Sequence, residues 1–496
     1  MSGSVTTDLQ TISLCESTTG WTAVGGTNTL NPDIYVQGAN SIHNYSASAA
    51  ARGADFAFTT ALTNKCVVAW FALSKLSSIP GKGVDGLRIR LTDASANWSE
   101  WDIGGADTIP HTGWIPYIVD TSRTPARSGS APCNLGSMAK VGWRCGGTTT
   151  VAAKTYIYFD AFRYGTGLTI YSGTSGSPAT FADLYAADLA NAYGIIDKVF
   201  GVYFLQGKIA IGSTAAGQAT YFKDTGAILV CKDAPVAATF NAIALQGNAT
   251  GNTEVFVPRC LIKSVGQRFR FLTNTGNITR FEADGLSLLH AGSVQFAAGQ
   301  TVINSTFDDC GQIAPSTATF ENNTILNATD SAGALLWPGG STVKNCAFLN
   351  NDKSIQITQN TTQTFNNLVF DDAAGKYDVN NTCGSGITIN LTNGANANSY
   401  TGSEVTFSSA VSVTLSGLKN PSEVRVFATG TANEVSGTGA ENVTTGTHAF
   451  SLSSGQAVDI SILALGYQNL RIINYATTVS ANIPVSQVID RQYSNT

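Results

Sequence analysis

Two pairs of adjacent aspartates are the residues of this 496-residue sequence that come closest to an acid–base site. Asp308 and Asp309 end the segment TVINSTFDD, and Asp371 and Asp372 end the segment TFNNLVFDD. Two carboxyl groups at a suitable separation can cleave a glycosidic bond, one as the acid and the other as the base or nucleophile. Neighbouring residues of an extended strand point to opposite faces, so neither pair places both carboxyl groups on one substrate. A catalytic role therefore needs a second group from another part of the fold or from another subunit.

The two tryptophans of the segment NWSEW offer a different chemistry, the binding of a sugar ring. Trp98 and Trp101 lie three residues apart, and an indole ring joins a large apolar face to a polar N–H group, which suits a carbohydrate. The same residues are typical of a sandwich core, where aromatic side chains fill the space between two sheets. Both interpretations stay open in the sequence, and the functional one is carbohydrate binding by Trp98 or Trp101.

The composition indicates many short strands rather than helices. Only 12% of the residues are charged and 50 are glycine, and frequent N-G, T-G and S-G pairs are typical of turns between strands. The formal net charge of −5 is spread without a basic run, so the sequence predicts no nucleic-acid partner. The longest apolar run, Cys66–Leu73, is far too short to cross a bilayer, which predicts no membrane partner.

The cysteines and the N-terminus bear on where the chain folds. The nine cysteines are widely scattered and form no C-x-x-C pair, which favours reduced thiols in a protein folded in a cytosol. The N-terminal segment MSGSVTTDLQTISL has no positive residues followed by an apolar stretch, so we expect no secretory signal. A polar, β-rich chain that folds in a cytosol and works outside a cell is typical of a virus particle.

Residues 1–165 predict a β-sandwich of the jelly-roll type. The segments GLRIRLT and YIYFDAFR alternate apolar and polar residues, as half-buried strands do. This part resembles the jelly-roll modules of the carbohydrate-binding and galactose-binding type in the segments LCESTTGW (14–21), GANSIH (38–43) and YFDAFRYG (158–165). The resemblance implies a structural calcium ion shared by Glu16 and Asp160, one acid near the first strand and one near the last.

Residues 166–250 are expected to connect the sandwich to the next domain. The segment SPATFADLYAADLAN (177–191) predicts the one convincing helix of the chain. Thr180 is the expected N-cap, with Asp183 three residues later, and an apolar stripe runs from Phe181 to Leu189. We expect this helix to cap the open end of the domain that follows.

An internal repeat dominates residues 251–400. The segments TVINSTFDD, TFENNTILN, TVKNCAFLN and TFNNLVFDD begin at residues 301, 319, 342 and 364. They share the pattern T-[VF]-x-N-x-x-[FI] at spacings of 18, 23 and 22 residues. Spacings of this length fit one coil of a β-solenoid, in which each coil stacks on the one before.

The repeat sorts its residues into columns with different predicted roles. Two apolar columns are expected to form a core ladder, and an asparagine column is expected to form a structural ladder in the coil corner. The core ladder consists of Val302, Phe320, Val343, Phe365, Phe307, Ile325, Phe348 and Phe370. The structural ladder consists of Asn304, Asn322, Asn345 and Asn367.

The asparagine column and the coil length resemble the right-handed parallel β-helix of pectate-lyase-like proteins and phage tailspikes. In that arrangement the two aspartate pairs are three coils apart, which is roughly 14 Å at about 4.8 Å per coil. Glycosidases need their carboxyl groups about 5.5 Å apart or up to about 9.5 Å apart. The sequence therefore predicts no catalytic residue.

Residues 401–485 predict a small sandwich, with residues 486–496 as an extended tail. Five alternating strands are joined by Gly-rich turns, and AVDISILALGYQNLRI (457–472) resembles the transthyretin-like or carboxypeptidase-regulatory-like fold. The resemblance implies a structural or interaction module. The fold class expected for the whole chain is all-β: a jelly roll, a helix-capped right-handed parallel β-helix and a small sandwich.

Three classes of protein fit these features. The favoured prediction is a structural virion protein of a tailed bacteriophage, a spike, fibre or head-decoration subunit that binds host surface polysaccharide. We expect it to form a homotrimer, to contact other virion proteins and to have no cofactor except the structural calcium. The alternatives are a polysaccharide-degrading depolymerase on the same β-helix and a bacterial surface adhesin.

Overall fold

The computed structural model describes residues 3–232, 242–265, 268–275, 277–339, 342–371, 373–453, 456–477 and 480–490. It confirms the expected all-β class: a jelly-roll region at the N-terminus, long parallel sheets and, in the described residues, a single short α-helix. The chain divides into two compact units, residues 1–313 and 314–496. Within the described ranges no helix has the length and apolarity needed to cross a membrane.

The N-terminal sandwich consists of two six-stranded antiparallel sheets. Strands are numbered in chain order. Sheet 1 contains β2 (Gln10–Ser13), β4 (Thr27–Asn31), β5 (Ser41–Tyr45), β7 (Cys66–Leu73), β10 (Ile115–Asp120) and β13 (Ile157–Gly165). Sheet 2 contains β3 (Trp21–Val24), β6 (Arg52–Ala57), β8 (Leu87–Asp93), β9 (Trp98–Gly104), β11 (Arg127–Ser128) and β12 (Met138–Cys145). A 3₁₀ turn at Leu76–Ser78 follows β7.

The core of the sandwich lies between the two sheets because every second side chain of each strand points inward. Trp143, Phe159 and Phe162 are fully buried there, and Trp21 packs edge-on against Phe159 with ring centroids 4.8 Å apart. The alternate side chains of both sheets therefore form two outer faces, and these faces are where a ligand can bind.

Most strands in the rest of the first unit form coils, in which each strand pairs in parallel with the strand three places later in the chain. Leu168 lies opposite Ile209 in one such pair, and Val255 lies opposite Phe281 in another. Two strands differ: residues 4–7 pair antiparallel with residues 168–171, and residues 196–199 pair antiparallel with residues 202–205. Each coil buries its apolar side chains in its interior, and its backbone groups form hydrogen bonds with the neighbouring coil.

The coil strands of the first unit are β1 (Ser4–Thr7), β14 (Gly167–Tyr171), β15 (Ile196–Val199), β16 (Val202–Leu205), β17 (Lys208–Ile211), β18 (Thr220–Lys223), β19 (Ile228–Lys232), β20 (Ala242–Gln246), β21 (Thr253–Phe256), β22 (Leu261–Val265), β23 (Arg270–Thr275), β24 (Arg280–Asp284), β25 (Ser287–Leu289), β26 (Val294–Gln295), β27 (Thr301–Ile303) and β28 (Thr306–Asp308). The short strand β29 (Ile313–Ala314) contains the boundary between the two units. Parallel pairing begins at β14, well before residue 251, because the earlier coils keep the apolar positions without the asparagine that makes the repeat visible.

The helix α1 (Phe181–Asn191) begins as the sequence predicts, with a capping box between Thr180 and Asp183. The predicted apolar stripe is wrong at its C-terminal end. Leu189 is 63% exposed, whereas Asp188 is buried and its carboxylate accepts hydrogen bonds from the backbone N–H groups of residues 194, 195 and 196. Asp188 therefore fixes the chain that leaves the helix. The sequence analysis did not predict this role, because an aspartate in a helix is usually exposed.

The second unit begins with further coils of the same kind and ends in a small sandwich. Its coil strands are β30 (Thr319–Glu321), β31 (Thr324–Leu326), β32 (Leu335–Leu336), β33 (Val343–Lys344), β34 (Ala347–Leu349), β35 (Lys353–Ile357), β36 (Gln363–Asn366), β37 (Val369–Phe370), β38 (Tyr377–Asn381), β39 (Ile387–Thr392) and β40 (Tyr400–Gly402). Phe348 lies opposite Phe370 in the parallel ladder, and their rings stack with centroids 5.0 Å apart.

The strand β41 (Val405–Ser416) belongs to both parts of the second unit. Its first half pairs in parallel with β39, and its second half pairs antiparallel with β44. The other strands of the small sandwich are β42 (Ser422–Ala428), β43 (Ala440–Val443), β44 (Thr447–Ser453), β45 (Val458–Ala464), β46 (Leu470–Tyr475) and β47 (Ala481–Pro484). Of the predicted tail, residues 486–490 are described and residues 491–496 lie outside the described residues.

Candidate functional site

The structure places Trp98 and Trp101 on opposite sides of sheet 2. Trp101 is 7% exposed in the sandwich core, and its Nε1 donates a hydrogen bond to the carbonyl oxygen of Arg123 at 3.0 Å. Trp98 lies on the outer face, but the Arg90 guanidinium carbon sits 4.0 Å from its ring centroid. Gly129 packs against the edge of this indole, since a Cβ added there would lie 2.9 Å from Trp98 Nε1. Trp101 is therefore a core residue, and one face of the half-buried Trp98 is covered by Arg90.

The remainder of the outer face of sheet 2 carries a network of ion pairs. Arg88 and Glu100, on neighbouring strands, are each 3% exposed and pair at 2.7 Å between Nε and Oε2. Arg144 pairs with Asp55 at 2.7 Å in the same sheet. Burial and the nearby charge of Arg144 lower the pKa of Arg90, which contacts Glu100 at 3.4 Å. Arg88 and Arg144 also donate to backbone carbonyl oxygens, those of Gly146 and Trp143, so the charges of these pairs are satisfied within the protein.

One half of the outer face of sheet 1 is covered by the chain that follows α1. Trp70 donates from Nε1 to the carbonyl oxygen of Ala192 at 3.0 Å, and Gln206 donates to the carbonyl oxygen of Pro116 at 3.2 Å. Gly194 has a positive φ of 73°, and a Cβ there would lie 2.8 Å from the side chain of Pro116. The first coil is therefore packed directly on this half of the sheet.

The other half of that outer face presents a row of aromatic side chains, which we call the aromatic row: His43, Tyr45, Trp114, Tyr156 and Tyr158. All five are half-buried. The three tyrosines form a series of nearly parallel rings, with centroids 4.8 Å apart between Tyr45 and Tyr156 and 6.1 Å apart between Tyr156 and Tyr158. His43 meets Tyr156 and Tyr158 edge-on at 5.2 and 5.6 Å. Trp114 meets Tyr158 edge-on at 6.5 Å, at one end of the row.

The electrostatics of the aromatic row favour an uncharged ligand. Burial lowers the pKa of His43, so its imidazole is neutral at neutral pH. Burial and the neighbouring Tyr156 raise the pKa of Tyr158, which keeps its phenol protonated. Thr27 and Thr29 lie opposite Tyr45 and His43 on the edge strand β4. The row therefore combines apolar ring surface with hydroxyl groups and carries no net charge at its centre.

Sequence reasoning missed the aromatic row although its signal was present. The pairs His43–Tyr45 and Tyr156–Tyr158 each span two residues, with the buried residues Asn44 and Ile157 between them. Because alternate residues of a strand share a face, two such pairs on the paired strands β5 and β13 must meet if the strands are in register. The register places Tyr158 opposite His43.

Glu16 and Asp160 lie close to one loop, residues 36–40, and accept hydrogen bonds from it. Glu16 accepts hydrogen bonds from the backbone N–H of Ala39 at 2.8 Å and from Asn40 Nδ2 at 3.1 Å. Asp160 accepts hydrogen bonds from the backbone N–H of Val36 at 2.8 Å and from the backbone N–H of Ala161 at 2.7 Å. Burial raises the pKa of Asp160 to about 6, against the effect of these bonds. Carboxylates surrounded by N–H donors do not fit a calcium ion, which needs six or more oxygen ligands.

The described residues also contain no group of three or more His, Cys, Asp or Glu side chains arranged to hold a metal ion. The calcium expectation therefore receives no support from the donor set around Glu16 and Asp160.

The aspartates of the repeat occupy coil corners. Asp309 has a φ of +47° and accepts hydrogen bonds from Arg268 at 2.6 Å and from His290 Nδ1 at 2.7 Å. Its pKa is lowered, because these two partners outweigh the effect of burial. In the second unit Asp371 accepts from the backbone N–H of Asn350 at 2.6 Å, and Asp372 lies outside the described residues. Asp309 and Asp371 thus each have a structural partner.

The predicted core ladder lies in the coil interior, and its eight members are at most 4% exposed. The predicted asparagine ladder lies on the outside of the corner and not within it. Its four members have positive φ values between 50° and 56°, a conformation that asparagine tolerates better than most residues. Asn367 donates from Nδ2 to Asn345 Oδ1 at 3.0 Å in the second unit, and Asn304 donates to Asp284 at 2.7 Å in the first. The amides therefore stack along the coil surface.

Solved structures similar to this chain are carbohydrate-binding modules. One is the family 11 module of the cellulosomal cellulase Lic26A-Cel5E of Clostridium thermocellum, with 8% identity, a TM-score of 0.23, and coverage of 32% of this chain and 95% of that one. Another is the CBM22-1 xylan-binding domain from Paenibacillus barcinonensis Xyn10C, with 17% identity, a TM-score of 0.22, and coverage of 32% and 94%. TmCBM61 in complex with beta-1,4-galactotriose has 12% identity, a TM-score of 0.20, and coverage of 29% and 88%. Likenesses at this level assign no function to any residue of this chain. No protein-family model matches the sequence, and no curated protein matches it.

Proposed function

We propose that this chain is a structural surface protein whose N-terminal sandwich binds carbohydrate through the aromatic row. The observation that carries the proposal is the series of nearly parallel rings of Tyr45, Tyr156 and Tyr158 on a half-covered sheet face. Partly exposed aromatic rings beside hydroxyl groups match a sugar, which has C–H faces and O–H edges.

The open half of sheet 1 is also suited to an extended ligand. The row crosses the strands β5 and β13 and continues to Trp114 beside β10. A ligand lying along it contacts several rings at once, whereas the ion pairs on sheet 2 leave no such surface. We infer an uncharged segment of a polysaccharide as the ligand, because burial lowers the pKa of His43 and raises the pKa of Tyr158, which keeps both side chains neutral near pH 7.

The proposed setting is the surface of a tailed-phage particle, as a spike, fibre or head-decoration subunit that assembles as a homotrimer with other virion proteins. Stacked coils with buried apolar columns make a stiff spacer, which supports a mechanical role. All nine cysteines are free and seven are buried, which supports folding in a reducing host cytoplasm before the particle is released. We propose no catalytic step, because Asp309 and Asp371 are each bound to a structural partner.

A glycan array of bacterial capsular and O-antigen polysaccharides tests the binding proposal. We expect the full chain to bind at least one polysaccharide. The double variant Tyr156→Ala, Tyr158→Ala should bind it at least tenfold more weakly, since a contact of about 1.4 kcal/mol corresponds to a factor of ten. Lys65→Ala, a change of an exposed residue elsewhere on the sandwich, is the matched control. Equal binding by the double variant and the control would contradict the proposal.

Two further measurements test the setting and the absence of catalysis. Light scattering of the purified chain should give the mass of three copies, and a clean monomer would contradict the homotrimer. Incubation of the chain with the bound polysaccharide should release no new reducing ends, and their release would favour the depolymerase instead.

A further inference from the structure

A small cavity of about 190 Å³ lies where β9 of sheet 2 approaches β10 of sheet 1. The loop of residues 121–126, which follows β10, closes it. The cavity has the volume of roughly six water molecules, which leaves room for one sugar ring but not for a chain of them. Its walls share no residue with the aromatic row. The lining residues are Trp101, Asp102, Ile118, Val119, Asp120, Arg123, Thr124 and Ala126.

Two carboxylate oxygens in the walls of this cavity are buried and receive no hydrogen bond from the described residues. Asp120 is only 6% exposed, and the unpaired atom is its Oδ2. In Asp102 it is the buried Oδ1. A buried acceptor that has lost water and gained no partner is unfavourable, so the walls are suited to a ligand that brings hydroxyl donors.

The geometry of the cavity is held by contacts that do not involve a ligand. The other oxygen of Asp120, Oδ1, accepts a hydrogen bond from the backbone N–H of Ser122 at 2.9 Å and another from the Ser122 hydroxyl. Trp101 Nε1 binds the carbonyl oxygen of Arg123 at 3.0 Å and so fixes the closing loop to the core. The orientation of the Asp120 carboxylate is therefore set before a ligand enters.

The other walls match a sugar better than a metal ion. Ile118, Val119 and Ala126 are apolar, as the C–H face of a ring requires, and Thr124 adds a hydroxyl group. Arg123 places a positive charge in the same cavity, which opposes a cation. The two carboxylates are also too few for a calcium ion, which takes six or more oxygen ligands.

We propose that this cavity binds a single sugar ring, whose hydroxyl groups donate to Asp120 and Asp102. Because the cavity has room for only one ring, the ring is a free monosaccharide or the terminal residue of a glycan. The inference rests on the proposed carbohydrate binding for its class of ligand. It adds a second site, distinct from the aromatic row, that recognises the terminal sugar of a glycan, whereas the row binds a segment within it.

Saturation-transfer NMR of the full chain with D-glucose, D-galactose, D-mannose, L-rhamnose and N-acetyl-D-glucosamine tests the proposal. We expect at least one of them to bind. Asp120→Asn should weaken that binding at least tenfold, because it replaces an acceptor oxygen with a donor. Ala126→Trp keeps both carboxylates and fills the mouth of the cavity, and it should abolish the signal. Asp33→Asn, the same change at an exposed residue, is the matched control and should leave binding unchanged.

The two sites fail in different ways. Tyr156→Ala should weaken polysaccharide binding and leave the monosaccharide signal intact, whereas Ala126→Trp should do the reverse. The cavity proposal is overturned if none of the five sugars binds, if Ala126→Trp binds as the parent does, or if Ca²⁺ competes with the sugar for the cavity. The thermal unfolding of Asp120→Asn is measured together with its sugar binding. If that variant is unfolded, the binding result for Ala126→Trp tests the cavity proposal instead.

Discussion

The two sheets of the N-terminal sandwich share one core but have opposite outer faces. Sheet 2 carries arginines and acids that are nearly as buried as the core, with Arg88 and Glu100 each 3% exposed. Sheet 1 carries tyrosines and a histidine that are half-buried and make contacts mainly through their rings. Charged residue types therefore do not mark the proposed ligand site. The charged groups of sheet 2 are already paired within the protein, whereas the rings of the aromatic row remain partly exposed to solvent.

The sequence analysis selected tryptophans of sheet 2 as the candidate sugar-binding residues. Six of the seven tryptophans lie in the sandwich, and an indole joins a large apolar face to a polar N–H group. Trp98 and Trp101 are nevertheless engaged by Arg90 and by the core. Tyrosine and histidine, which are less conspicuous in the sequence, provide the surface that is still half-open.

The largest effect that we expect is the loss of folding stability when the ion pair between Arg88 and Glu100 on sheet 2 is broken. Glu100→Ala leaves Arg88 buried without its 2.7 Å partner, and breaking a buried ion pair costs about 3–5 kcal/mol. For a domain of this size such a loss lowers the unfolding temperature by about 10 °C. Differential scanning calorimetry measures it. Lys65→Ala, which breaks an exposed pair with Asp8 at 3.9 Å, is the control and should cost under about 1 kcal/mol. Similar shifts for the two variants would mean that sheet 2 has no stabilising network.

The second prediction compares one ring from each face. Tyr158→Ala should weaken polysaccharide binding about tenfold, which corresponds to about 1.4 kcal/mol. Trp98→Ala should leave binding within about twofold, because its ring is already covered by Arg90. Isothermal titration with the polysaccharide identified on the array measures both. If Trp98→Ala has the larger effect, the ligand lies on sheet 2 and the comparison is reversed.

The third prediction concerns pH and the aromatic row. Burial lowers the pKa of His43 below its usual 6.5, so the unfolded chain binds a proton below pH 6.5 that the folded chain resists. This contribution makes the folded state less stable as the pH falls from 6.5 through the folded pKa. Asp160 acts with the opposite sign, because its pKa of about 6 makes the folded state the stronger proton acceptor between about 4 and 6. His43→Gln removes only the first contribution.

The test is therefore the difference between the parent and His43→Gln. The parent should lose more thermal stability than the variant between pH 7.5 and pH 5.5, and polysaccharide binding by the parent should weaken over the same range. Parallel curves for the two proteins would show that His43 is not desolvated in the aromatic row.

The smallest effect should be the reactivity of the cysteines, which we expect to be equal in the two sheets. Cys66 in sheet 1 and Cys145 in sheet 2 are both buried, and burial raises the pKa of each thiol. Native protein treated with iodoacetamide should be modified only at the two half-buried thiols, Cys133 and Cys383, whereas urea should expose all nine. Mass spectrometry of the digested protein measures this. Early modification of Cys66 alone would indicate that sheet 1 opens more readily than sheet 2.

Much of the coil architecture could be predicted from the repeat. A residue that recurs at the same place in every coil has the same neighbours above and below it, so Phe307, Phe348 and Phe370 are buried as expected. The position of the asparagines was harder to predict because an amide can serve inside or outside a turn. Their positive φ values show that backbone conformation selects them. The same conformation occurs at Asp309, one of the paired aspartates that the sequence analysis considered and rejected as catalytic.

The candidate site could be predicted much less well. The sequence contained the alternating pairs that form the aromatic row, yet nothing in it showed which strands pair, and β5 and β13 are more than a hundred residues apart. The helix is a smaller example of the same limit. The start of the helix depends on two residues close in sequence and was predicted, whereas the burial of Asp188 depends on its contact with the residues that follow the helix, such as Gly194.

Four features could be predicted from local pattern: the all-β class, the helix start, the coil repeat and the apolar columns. These follow from period, propensity and turn chemistry, which act between residues close in the chain or repeated along it. Which face of the sandwich is open could not be predicted in this way. That outcome depends on the pairing of distant strands, on the closure of sheet 2 by its own ion pairs, and on the coil that covers half of sheet 1. Each is a long-range contact, and no short stretch of the sequence contains both of its partners.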